Sequence, residues 1–214
     1  TILTPDFWQT YPKGYSIKPD GIHVRLLPTL APDTYGSPED APWFYKLYAW
    51  CKDGKYMVRA GQLTQHEVFV CYALPGADTQ ATANWLAKPL LPQAPPEYLC
   101  ATDVLGGSVF PRTPGKWDDY EAFFDKGFEQ TFLDRETRRT YGWMHFGDWY
   151  GERRCNYGNN EYSMDFALAM QWMRTGDRRC FERGLEMARH YSTVDTLYGA
   201  FTAGLKGLAW EHSF

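Results

Sequence analysis

Near Pro114 the chain changes its hydrophobic rhythm, and that change constrains its folding more than any other feature. Before it lie short runs rich in aromatic and β-branched residues, divided by Pro- and Gly-containing turns: Tyr15 to Leu27, Trp43 to Cys51, Lys55 to Ala60 and His66 to Leu74. Such runs read as strands. Asp53-Gly54 between two of them is a hairpin signal. From Glu67 to Tyr72 the apolar character is nearly continuous, as in a strand covered on both faces. An antiparallel β-sandwich, or part of one, is the expectation for this half. Prolines from Pro89 to Pro114 mark a connector, with one short helix expected at Gln80 to Ala87. The domain boundary is placed at Pro114, giving residues 1–114 and 115–214.

After Pro114 apolar residues recur at three- and four-residue spacings. Lys116 to Leu133 carries Tyr120, Phe123, Phe124, Phe128 and Phe132 and is expected to be helical. Helices are also expected at Glu161 to Arg174 and Arg178 to Val194. Gly176 stops the first, and Asp177 caps the second. Tyr162, Phe166, Met170 and Met173 are expected to share the buried face of one; Phe181, Leu185, Ala188 and Tyr191 that of the other. The turn between them is short, so the pair should form an antiparallel hairpin. One hairpin cannot cover both its faces, so the sequence reads as a segment of a longer protein, or one completed by a partner.

Composition removes several function classes. The net charge is −4 and no basic block exists to neutralise a phosphate backbone, so nucleic acid is not an expected partner. No run approaches the roughly 20 apolar residues that cross a bilayer, so no membrane partner is expected either. Cysteines at 51, 71, 100, 155 and 180 are odd in number and widely spaced, which argues against a disulfide framework or a metal knuckle. Cys51 and Cys71 lie in neighbouring runs that could meet, though buried free thiols are the simpler state. Aromatic residues make up 17% of the chain, with 9 Trp and 15 Tyr. Such rings pack on the C–H faces of sugars as well as in protein cores.

The chemistry concentrates in YGWMHFGDWYGERRCNYGNNEY, from Tyr141 to Tyr162. Four glycines, Gly142, Gly147, Gly151 and Gly158, let the backbone turn tightly or approach a ligand. Between them stand His145, Asp148, Tyr150, Glu152, Arg153, Arg154, Asn156, Asn159, Asn160 and Glu161. Each has a structural alternative. His145 could be a core histidine bonded to a carbonyl; Glu152 could pair with Arg153 or Arg154; Asn159 could cap the following helix; Tyr162 could begin that helix's buried face. There is no HExxH spacing, nucleophile elbow or phosphate loop.

GDWYGER, NYGNNEY, the MRTGDRR turn and ARHYSTVDT together resemble the exo-rhamnogalacturonan lyase (YetA-like) family of polysaccharide lyases. The resemblance is specific over about residues 142–196. It implies an α+β multidomain protein, with a central antiparallel β-sandwich followed by the first helices of an α/α toroid. It also implies β-elimination at a galacturonate in rhamnogalacturonan, with an acidic oligo- or polysaccharide as partner beside further domains of the same parent. That reaction needs a cation or amide against the uronate carboxylate, a base for the adjacent proton and an acid for the departing oxygen. Residue chemistry nominates His145 as base, Tyr150 as acid and Arg153 as neutraliser. Arg154, Asn156, Asn159, Asn160, Glu161 and Tyr162 are nominated to bind substrate, with His190 as substrate ligand or competing base. No cofactor is expected. Calcium helps neutralise uronates in many lyases, but no dense acidic loop demands it here. Polymer degraders are commonly exported, so a secreted or periplasmic location is favoured over a cytoplasmic one. The alternatives are a glycoside hydrolase with paired acids drawn from Asp148, Glu152 and Glu161, and a non-catalytic carbohydrate-binding or structural fragment.

Overall fold

A computed structural model describes residues 1–29, 31, 51–52, 55–56, 58, 60–72, 74, 76–149, 158, 161–199 and 203–209. Among the described residues, the N-terminal half holds paired strands that do not join into a larger sheet. β1 (Ile2–Leu3) pairs antiparallel with β6 (Phe69–Val70), β2 (Gly14–Lys18) with β3 (Gly21–Arg25), and β4 (Cys51–Lys52) with β5 (Lys55–Tyr56). The run Tyr15 to Leu27 is thus a hairpin and not one strand. Pro19-Asp20 breaks it, and Lys18 faces Gly21 across the turn. The expected pairing across residues 53 and 54 is present. Trp43 to Trp50 lie outside the described residues.

This architecture corrects the expected β-sandwich followed by the opening of an α/α toroid. Five α-helices, one π-helical turn, one 3-10 turn and three isolated two-stranded pairings make up the regular structure among the described residues. The physical reason is visible at β6. A sandwich strand must be covered on its inner face, yet Phe69 is 37% exposed, Val70 55% and Tyr72 97%. Among the described residues the apolar run has no opposing sheet, and its strand pairs with β1 alone. Cys71 therefore sits beside Thr1, its amide donating to the Thr1 carbonyl at 2.8 Å, and not in a strand next to Cys51. Cys71, Cys100 and Cys180 are free thiols.

Helices carry the packing. α1 (Thr79–Ala87) starts where the Asp78 carboxylate accepts the Ala81 amide. α2 (Pro96–Ala101) is short and rests on the hairpin, with the Cys100 thiol 3.6 Å from the Met173 carbonyl. α3 (Asp118–Arg138) begins with Asp118, Asp119 and Glu121, whose negative charge suits a helix N-terminus, and ends at the left-handed Arg139. α4 (Met164–Thr175) and α5 (Arg178–His190) form the expected hairpin. Gly176 adopts φ 72° at the end of α4, and the Asp177 carboxylate accepts the Arg179 amide at 2.9 Å to open α5. A Cβ on Gly184 would lie 3.2 Å from the Asp165 carbonyl, so the two helices approach closely there.

The buried faces differ from those expected. α4 buries Leu168, Gln171 and Met173, while Tyr162 and Phe166 are exposed. α5 buries Cys180, Arg183, Gly184, Met187 and His190, and leaves Leu185 exposed. Arg183 and His190 find carboxylate and carbonyl partners inside, which makes their face the better one to bury despite its charge. The main core joins Phe128 of α3, Leu168 of α4, and Cys180 and Met187 of α5. Burial pushes the Cys180 thiol up to about 12. A second cluster of Trp143, Met144 and Val194, with Leu27 against it, underlies the site. After His190 the backbone widens into one turn of π-helix, Tyr191–Asp195. No helix among the described residues is long and apolar enough to cross a membrane.

Candidate functional site

The segment after α3 is drawn inward by glycines. Gly142 and Gly147 take φ of 101° and 99°, conformations that a side chain resists. A Cβ on Gly147 would meet the Glu186 carbonyl at 2.3 Å, so glycine alone lets this segment lie against α5. The Gly142 and Trp143 amides donate to the carbonyls of Gln9 and Tyr11, at 2.7 and 2.9 Å, which fastens the segment to the N-terminal region. Leu63 is tied to the π-turn through the Thr193 carbonyl at 3.2 Å. Three stretches distant in sequence thus converge on the C-terminal end of α5.

Between them lies a cavity of about 100 Å³. Its wall includes Asp6 and Lys13 from the N-terminal segment, His66, Arg189 and His190, with Trp143 as an aromatic side. His66 has both ring nitrogens shielded from solvent without a hydrogen-bond partner among the described residues. Burial, helped by the nearby Lys13 charge, lowers its pKa, so the ring is held neutral. Lys13 donates to the Asp6 carbonyl at 3.1 Å and to the Thr10 hydroxyl. Burial lowers its pKa, and the attraction of Asp6 partly offsets that. Asp6 is shifted the other way: burial, then repulsion from Glu186, raises its pKa against the pull of Arg189 and Lys13. An acid whose pKa is raised, a neutral imidazole and cations therefore border one small space.

Beneath it is a buried ionic cluster. His190 Nε2 lies 3.3 Å from Asp195 Oδ1 and 3.6 Å from Asp148 Oδ2, and all three residues are at most 3% exposed. Burial lowers the His190 pKa, but Asp148 and then Asp195 outweigh it and the net shift is upward. Arg183 donates to the Asp148 carbonyl and to Glu186, both at 2.9 Å, and Arg135 reaches the same Glu186 oxygen at 2.8 Å.

Of the residues nominated from sequence, Asp148 and His190 are brought together and His190 borders the cavity. His145 is buried, its amide bonded to the Gly142 carbonyl at 3.0 Å, and does not line the cavity. Glu161 donates its amide to the Gly158 carbonyl at 3.0 Å, and Tyr162 is exposed with its ring 5.5 Å from that of Trp149. Neither lines the cavity. Tyr150, Glu152, Arg153, Arg154, Asn156, Asn159 and Asn160 lie outside the described residues. Sequence reasoning missed Asp6, Lys13, His66, Arg189 and Asp195. The one available signal was a His-Glu pair at His66-Glu67, immediately before the apolar run Val68 to Cys71. Among the described residues no group of three or more His, Cys, Asp or Glu is placed to hold a metal ion.

Compared with known proteins, the chain matches no protein-family model and no curated sequence.

Proposed function

We propose that this chain acts on an acidic sugar, by β-elimination at a galacturonate of the rhamnogalacturonan type. The observation that carries the reading is the cavity in which His66 stands neutral and unbonded between the cations Lys13 and Arg189 and Asp6, whose pKa burial raises. The motif resemblance over residues 142–196 supports the same chemistry.

The roles follow from charge. Lys13 and Arg189 face the uronate carboxylate, and by neutralising it they make the neighbouring ring proton removable. Neutral His66 accepts that proton. Electrons from the broken C–H bond form the ring double bond as the glycosidic C–O bond breaks, and Asp6 supplies the proton to the departing oxygen. Trp143 offers a face for the sugar ring. The space suits the carboxylate end of one sugar residue.

The test is incubation of the chain with rhamnogalacturonan oligosaccharides, followed by ultraviolet and mass detection of an unsaturated uronide. His66→Ala is expected to reduce its formation about 10²- to 10⁴-fold, the usual contribution of a positioned base. Unchanged turnover in that variant would reject the assignment. Asp6 also favours a second reading, a glycoside hydrolase with Asp6 as its acid, because a carboxyl whose pKa is raised by burial is what such an acid requires. A product carrying an added water and no double bond would select it. Sugar binding without either product would select the non-catalytic reading.

A further inference from the structure

A second concavity lies on the other side of the hairpin, between the start of α3 and α4, with a volume of about 620 Å³. That is within the range of small-molecule sites. Its walls carry Phe110, Trp117 and Tyr120, which are 69%, 79% and 58% exposed. Trp117 is also a backbone outlier. It precedes α3 with φ 60° and ψ 29°, a left-handed conformation that is costly for a bulky residue and that tends to persist at ligand-contacting positions. The effect is to hold a large flat ring at the rim of the groove in open solvent.

The floor has a different character. Glu121, 2% exposed, receives Arg174 and Gln171, and Arg112 Nε lies 3.7 Å away. Arg174 spends its other donors on the Gln171 side chain at 2.7 Å and the Phe110 carbonyl at 3.1 Å. The floor is therefore an internally bonded network in which arginine and carboxylate balance each other. Ser108 and Lys116 stand among the rings, and the Thr113 hydroxyl donates to the Pro111 carbonyl at 3.2 Å. An apolar peptide face would bury the polar atoms of Ser108 and Lys116 unpaired. A sugar chain would stack its C–H faces on the rings and offer its hydroxyls to those atoms.

We propose that this groove binds a neutral carbohydrate chain, as a docking site separate from the cavity. The inference does not depend on the chemistry assigned to His66. Two kinds of subsite would let one chain hold a polymer that alternates acidic residues with neutral side chains: the groove takes the neutral part, the cavity the uronate.

The full chain is titrated with galactotetraose and arabinotetraose, with trigalacturonate as the acidic probe, following tryptophan fluorescence and saturation-transfer NMR. At least one neutral probe is expected to bind, and Trp117→Ala to weaken it about tenfold while leaving trigalacturonate binding unchanged. Combined Lys13→Ala and Arg189→Ala should do the reverse. Trp117 is exposed, so its removal leaves the core intact; an unchanged melting temperature verifies that. Tyr120→Phe, which keeps the ring, should weaken the neutral probe only about threefold. Absence of binding by both neutral probes overturns the proposal, as does neutral binding that survives Trp117→Ala. Loss of self-association in Trp117→Ala, without any sugar effect, would overturn it in favour of a protein interface. Failure of trigalacturonate to bind would count against the cavity reading alone.

Discussion

α5 and α3 solve opposite problems. α5 turns Arg183 and His190 inward and leaves Leu185 in water, whereas α3 buries Phe128 and leaves Phe123 77% exposed one turn earlier. Hydropathy alone ranks these residues the other way. What decides is the supply of partners. Arg183 hydrogen-bonds Glu186 and the Asp148 carbonyl, and His190 lies within 3.6 Å of two carboxylates whose charge offsets its burial, although its ring nitrogens make no hydrogen bond among the described residues. Phe123 has no apolar surface opposite it among the described residues, so its ring stays in solvent.

The contrast can be broken most directly on α3. Phe128→Ala should cost about 3–5 kcal/mol, because it opens a void among Leu168, Cys180 and Met187. Urea unfolding measures it, and a loss below about 1 kcal/mol would mean that this cluster is not the core. On α5, Arg183→Met keeps the volume but strips Glu186 and the Asp148 carbonyl of a donor, with an expected loss of about 3 kcal/mol. A neutral result would show the buried charge to be dispensable.

A smaller effect is expected from pH. The His190 pKa is raised in the folded chain, so its stabilisation is complete below the unfolded value near 6.5 and is lost as pH rises through the folded value. The melting temperature should therefore fall across the neutral-to-alkaline range, and His190→Gln should flatten that slope. The same slope in both proteins would remove His190 from the account. Smallest of all, Phe123→Ala should change stability by no more than about 0.5 kcal/mol, beside the large loss from the same substitution five residues on.

Local chemistry was legible in the sequence. Gly176 and Asp177 announced the α4–α5 turn because a left-handed stop and an N-cap act on adjacent backbone atoms. α3 was found from spacing and runs five residues further than the apolar pattern, to Arg138, and α1 was expected as one short helix within the connector. Strand partners were not legible: β6 meets β1 across more than sixty residues of chain, and nothing within either run names the other. The same holds for the cavity. His190 was nominated, and Asp148 too, but as a hydrolytic acid and not as the partner of a histidine. His66, Lys13 and Asp6 acquire meaning only when three separate stretches converge, so no motif contains them. Helix faces failed for a third reason: periodicity counts apolar side chains and is blind to a charge whose counter-charge is already inside.

The widened turn at Tyr191–Asp195 has a consequence for tolerated change. A π-turn is a helix carrying one surplus residue, and here the surplus swings Asp195 back under His190 and aims Tyr198 at the Gly61 carbonyl, 2.8 Å from its amide. Removing any single residue from this stretch would restore ordinary winding and rotate everything downstream by about 100°. This stretch should therefore accept no deletion, and side-chain exchanges only away from the buried Thr193, Val194 and Asp195.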